Sequence, residues 1–205
     1  MKTCTAVARI LIAGLLIAFS AAVAAQRAYP NKPIRFITPY APGGSTTSVA
    51  HLIGQKLTEA WGQQVLVENR AGGSTIIGSE ALVKSPPDGY TIMMVSFDHT
   101  IIPQLLPTPY DAVKDFSPIA SLAASPLMLA IHPAVPANNL QEFIALAKSR
   151  PGQLNYAQVG NGTISHLMGE MFNVMAGVKI QDIAYKGGGP ATIDVLAGQV
   201  QATFT

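Results

Sequence analysis

Four times this sequence runs from a short apolar segment through a glycine-rich turn into a stretch with helical spacing, at 43–46, 72–75, 160–165 and 186–190. The first two turns even share the string Gly-Gly-Ser-Thr. Strands that hand over to helices through such short turns must run parallel, with each helix crossing over the sheet. The chain therefore reads as α/β, and the turns should gather at the carboxyl ends of the strands.

The elements follow from periodicity and from breakers. Ile34 to Ile37 reads as a strand closed by Thr38-Pro39, and Val49, Leu52, Ile53, Leu57, Ala60 and Trp61 recur at helical spacing. Ser45 or Thr46 is the expected cap of that helix, and Gly62 its end. A strand at 65–67 and a helix reaching Lys84 follow, then the hard stop Pro86-Pro87-Asp88-Gly89. A third strand is expected over 90–95 and a short helix after His99. Around 120–125 the chain loses charge and long periodicity, which marks a crossing between two domains. The second half then repeats the plan. It shows a strand at 127–131, a helix at 140–149 capped by Asn138 or Asn139, and a strand at 154–157. A helix at 165–176 follows with Leu167, Met171, Val174 and Met175 on one face, then a strand at 180–185 and a helix at 191–197. Residues 199–205 alternate like a strand and then stop, so an uncovered edge is expected there and a C-terminal part is read as missing.

Residues 1–25 carry Lys2 and Arg9 before an apolar run at 10–19 and close in Ala22-Val23-Ala24-Ala25. That is the plan of a secretory signal peptide cleaved after Ala24 or Ala25, and the run is too short to span a bilayer. The expected compartment is the periplasm. Of the 13 Lys and Arg, removal of these two leaves 11, matching the 11 Asp and Glu, so the mature chain is neutral. No basic footprint for nucleic acid remains. Cys4, the only cysteine, leaves with the signal, so neither disulfides nor thiol chemistry is expected.

At each glycine turn the first helical N–H groups lack intrahelical partners, and the helix dipole adds about half a positive charge. Glycine admits a ligand close to the backbone, and Ser and Thr add hydroxyls, so a small carboxylate or phosphate is the natural guest. Nucleotide motifs are incomplete: no Gly-Lys pair follows any of the glycines, and 160–165 lacks the third glycine of a dinucleotide fingerprint. An exported serine hydrolase using Ser45 or Ser74 is the alternative. Against it, Thr47 and Ile76 stand where the nucleophile elbow would close with glycine. His51, His99, His132 and His166 are scattered and show no triad or metal spacing. No cofactor motif, metal site or catalytic residue is read.

The strings Tyr29-Pro30-Asn31-Lys32-Pro33-Ile34, Pro39-Tyr40-Ala41-Pro42-Gly43-Gly44 and Glu68-Asn69-Arg70-Ala71-Gly72-Gly73 resemble the opening of the Bug family. These are the solute-binding receptors of tripartite tricarboxylate transporters. The likeness continues through Pro86-Pro87-Asp88-Gly89-Tyr90-Thr91, Pro151-Gly152-Gln153-Leu154-Asn155-Tyr156 and Tyr185-Lys186-Gly187-Gly188-Gly189-Pro190. The resemblance implies a two-lobed periplasmic binding protein of type II, a Venus flytrap without catalysis that closes on a small organic acid. Lobe 1 would be 26–124, incomplete without a C-terminal return, and lobe 2 would be 125–205. Lobe 1 contacts carried over are Tyr40, Ala41, Pro42, Gly43, Gly44, Ser45, Thr46, Ser96 and His99. Those of lobe 2 are Gly160, Asn161, Gly162, Thr163, Ser165, His166, Tyr185, Lys186, Gly187 and Gly188, with the 72–75 turn near the cleft. The implied partners are membrane subunits of such a transporter or a sensor, and the receptor is expected to be a monomer. A truncated, nonfunctional receptor is the remaining alternative. Thr47 and His51 stand where the family usually has Asp and Arg, and a missing anion at 47 is expected to favour more negative solutes.

Overall fold

The computed structural model describes residues 29–205, so the expected signal peptide lies outside the described residues. Seven strands and six helices are described. The first sheet is β1 (Ile34–Thr38), β2 (Val65–Asn69) and β3 (Thr91–Met93), in order β2-β1-β3 and parallel throughout. Its helices are α1 (Ser45–Trp61), α2 (Ile76–Val83) and α3 (Asp98–Leu105). The second sheet comprises β4 (Leu129–Ile131), β5 (Asn155–Gln158), β6 (Gln181–Ala184) and β7 (Ala202–Phe204), in order β4-β7-β5-β6. Only β4 runs antiparallel to its neighbour. Helices α4 (Leu140–Ser149), α5 (Ile164–Ala176) and α6 (Gly188–Leu196) complete it.

Burial on both faces explains the apolar strands of the second lobe. Tyr156 and Phe204 point into one core with Phe143, Ala147, Leu154 and Ile180, against which Met168 and Phe172 pack. The next residue of β5, Ala157, points the other way, to Ala191, Val195 and Val200. Alternation along one strand thus feeds two cores, one under α4 and α5 and one under α6.

Several expectations are corrected. The final strand is not an uncovered edge: β7 lies between β4 and β5 and all three of its residues are buried. The exposed edge of that sheet is β6 instead. Helix α3 starts at Asp98, so His99 lies inside it rather than before it. Along α1 the buried residues are Thr47, Ala50 and Gly54, while Leu52, Ala60 and Trp61 are exposed. Met171, Val174 and Met175 of α5 are exposed as well; the helix turns Ser165, Met168, Gly169 and Phe172 inward. Both faces of α5 are apolar, so spacing alone could not choose between them.

Candidate functional site

The structure brings the four glycine turns together in pairs across the two sheets. The Ala41 amide donates to the Lys186 carbonyl at 3.0 Å. Beside it Gly43 and Gly189 touch backbone to backbone, and a Cβ on Gly189 would overlap the Pro42 carbonyl. In the second pair, a Cβ on Gly160 would stand 3.1 Å from Ser74 Oγ. Only glycine allows these approaches. An open depression of about 440 Å³ lies at the first pair, lined from both sides by Pro42, Gly43, Tyr185, Gly189, Pro190 and Asp194.

The helices that start at these turns share one property. None of α1, α2, α5 and α6 has a side-chain cap, their N-cap residues being Gly44, Thr75, Thr163 and Gly187. This corrects the capping role expected of Ser45 and Thr46, which are the first two residues of α1. By contrast, α4 has no part in the turn contacts and is fully capped. Asn139 Oδ1 accepts from the Glu142 amide, while Glu142 accepts from Asn138 and Asn139. Of the uncapped starts, that of α5 is reached from the other lobe, where Asp98 Oδ1 accepts from the Ile164 amide.

Hydroxyls expected to contact solute serve the turns. Thr163 is fully buried and its Oγ1 donates to the Gly160 carbonyl at 2.6 Å, while Ser165 Oγ accepts from the Val159 amide at 3.1 Å. His166 Nδ1 accepts from the Gly162 amide, and Asn161 Oδ1 accepts from Gln158 Nε2. The Tyr185 hydroxyl donates to Asp194 at 2.6 Å, and burial followed by this carboxylate pushes the phenol up to about 12. Lys186 is exposed and contributes its carbonyl. His99 makes its contacts within lobe 1, its Nε2 on the Ala112 carbonyl and its ring against Tyr110 and Phe116. His132 accepts from the Ala134 amide and His51 is exposed on α1. Three of the four imidazoles are thus engaged by backbone groups, and His51 is exposed.

Three residues that position the site were not legible beforehand. Asn69 Nδ2 reaches Thr38 Oγ1 at 2.7 Å, the Tyr40 carbonyl at 2.9 Å and Thr47 Oγ1 at 2.9 Å, which anchors the turn after β1. Thr47, at the departure from the family pattern, is thus turned inward and buried. Gln158 is fully buried and holds the Gly160 amide, Asn161 and Asp182. Asp98 is 1% exposed, and its Oδ2 accepts from the Tyr40 hydroxyl at 2.9 Å while its Oδ1 accepts from the Ile164 amide of the other lobe at 2.8 Å. Burial raises its pKa, opposed by the hydrogen bonds from Ile164, Tyr40 and Ser96. The sequence signal for Asp98 was a lone acid in an apolar stretch, which reads most simply as a partner for its own helix dipole.

A family model described as the tripartite tricarboxylate transporter family receptor matches residues 49–205. Protein BugT of Bordetella pertussis is 37% identical over 196 residues, covering 93% of this chain and 60% of the relative. Among solved structures, a periplasmic transporter superposes with a TM-score of 0.83 at 38% identity, over 86% of this chain and 60% of that one. R. palustris Rpa4515 with adipate gives 0.83 at 31% identity, over the same shares. The chain thus spans about 60% of the length of the relatives it matches. With the two-lobed α/β architecture and the shared motifs, these matches establish that the chain belongs to the tripartite tricarboxylate transporter receptor family.

Proposed function

We propose that this chain is an extracytoplasmic receptor that holds a small organic acid where its two lobes meet, without catalysing a reaction. The observation that carries this reading is the meeting of the Ala41 and Lys186 turns beside a depression, with the uncapped N-termini of α1 and α6 at its rim. Helix N-terminal amides favour an anion and need no Lys or Arg to hold it. The solute contacts in this reading are Tyr40 to Thr46 and Tyr185 to Gly188, with Gly160 to His166 shaping the second wall. The structure of Rpa4515 with adipate supports a carboxylate as the guest.

In the same reading the chain is exported by the signal at 1–25 and works in the periplasm as a monomer. It delivers its solute to the membrane subunits of a tripartite tricarboxylate transporter or to a sensor. A thermal-shift screen of mono- and dicarboxylates on the mature chain tests this. A solute at a hundred times its Kd stabilises by about 2.7 kcal/mol, which raises Tm by about 5–10 °C in a chain of this size. A screen in which no acid moves Tm overturns the reading, as does labelling of Ser45 or Ser74 by a phosphonate probe.

A further inference from the structure

A second cavity lies away from the glycine turns, at the other end of the lobe 2 sheet. Its volume is about 170 Å³, and it sits where β5 and β7 begin and the antiparallel β4 ends. His132 follows β4 and Gln201 precedes β7, and the His132 amide donates to the Gln201 carbonyl at 2.9 Å. Arg150, the C-cap residue of α4, lines the same cavity, and Val135, Leu146 and Leu154 give it an apolar wall.

Local bonding leaves each of the three polar side chains with a donor to offer. His132 Nδ1 accepts from the Ala134 amide at 3.2 Å; an amide only donates, so the ring N–H is at Nε2. Gln201 Oε1 accepts from the Asn155 amide at 3.0 Å, so the hydrogens on its Nε2 are the end left over. Among the described residues the Arg150 guanidinium has neither a hydrogen-bond acceptor nor a carboxylate partner, and no acid lines the cavity.

We propose that this cavity is a separate anion site that takes a short aliphatic monocarboxylate, held by Arg150, His132 Nε2 and Gln201 Nε2 with its alkyl chain on the apolar wall. A guanidinium presents parallel N–H groups that match the two oxygens of a carboxylate. At about 30 Å³ of liquid volume per water-sized group, the cavity has room for about five or six heavy atoms, the size of propionate or butyrate. Phosphate is polar all round and would set oxygens against Val135, Leu146 and Leu154, at a cost in lost hydration. No residue of lobe 1 and none of the four glycine turns lines the cavity, so the site is independent of the solute contacts between the lobes.

The test is a nitrogen-15 NMR titration of the mature chain with propionate, with 1-propanol and inorganic phosphate for comparison. Propionate is expected to give saturable shifts at the Arg150 Nε–H and at the Ala134 and Gln201 amides. 1-Propanol should give none, and phosphate should bind at least about tenfold more weakly, which corresponds to about 1.4 kcal/mol. Arg150→Gln, at an exposed position, is expected to weaken propionate at this site by a similar factor. The Ala41 and Gly189 amides report any propionate held between the lobes, so the two sites are read separately. Saturation confined to Ala41 and Gly189, an equal response to phosphate, or an unchanged Kd in Arg150→Gln each overturns the proposal. So does a wild type with no saturable shift beside an Arg150→Gln that merely loses stability, because Arg150 would then serve only the negative end of α4.

Discussion

Gly189 lies so close to Pro42 that the Pro42 carbonyl occupies the space a Cβ would need. This contact joins the turn after β1 to the helix start after β6, next to the Ala41–Lys186 hydrogen bond. Backbone on backbone cannot yield as a flexible side chain can. Gly189→Ala should therefore wedge the two turns apart. It should weaken any solute held there at least about tenfold, or about 1.4 kcal/mol, and enlarge the radius of gyration in solution scattering. Gly54→Ala is the control: it lies in the middle of α1, outside the solute contacts, and its Cβ would sit at an ordinary 3.4 Å from Val67 Cγ2. Unchanged affinity in Gly189→Ala would show that the contact does not set the closed geometry.

The architecture was legible because it depends on local signals that tertiary structure had no reason to override. Strand patterns, glycine turns and helix periods each announced themselves, and all seven strands overlap segments whose pattern reads as a strand. What failed was the direction of faces. On α5 the expected stripe of Met171, Val174 and Met175 is exposed because the helix approaches the sheet along Gly169, where the absence of a side chain lets Tyr156 in. A hydrophobicity pattern counts side chains and cannot register an approach made possible by a missing one. Roles at the turns failed for a related reason. Thr163, Ser165 and His166 bond to the turn they sit in, and Asp98 acts on residues 58 and 66 positions away. Spacing along the chain carries no trace of such pairings.

Glu68 gives the acid limb of stability its sign. Arg35 grips it through Nε at 2.8 Å and Nη2 at 2.9 Å, and Arg70 adds a third contact at 3.2 Å. The hydrogen bonds from Arg35 dominate, and the carboxyl is held down at about 2, from 4.5. A depressed carboxyl contributes stability that is fully present above the unfolded value of 4.5 and is lost as pH falls towards 2. Both partners are about a third exposed, so solvent limits the contribution to about 1 kcal/mol. Denaturant melts between about pH 6 and about pH 2.5, which bracket most of that window, should show Glu68→Gln flattening the acid loss. A variant that loses stability as steeply as wild type would assign the acid sensitivity elsewhere.

Gly169 sets two effects against each other. Replacing a mid-helix glycine by alanine favours the helix by about 1 kcal/mol. Here, however, the new methyl would overlap Cε2, Cζ and the hydroxyl of Tyr156. That ring is 1% exposed, stands edge-on to Phe204 at 5.7 Å, and has its hydroxyl on Glu170 at 3.0 Å and on the His166 carbonyl at 3.3 Å. It has nowhere to go without breaking those bonds, at about 1 kcal/mol each, while overpacking itself costs about 1–3 kcal/mol. The clash wins. Gly169→Ala should lower stability by about 1–2 kcal/mol in urea denaturation despite its better helix propensity. Tyr156→Phe removes one of the three overlapped atoms, so the double variant should be less destabilised than the sum of the singles. A more stable Gly169→Ala, or strict additivity in that cycle, would mean that α5 does not owe its seat on the sheet to the missing side chain.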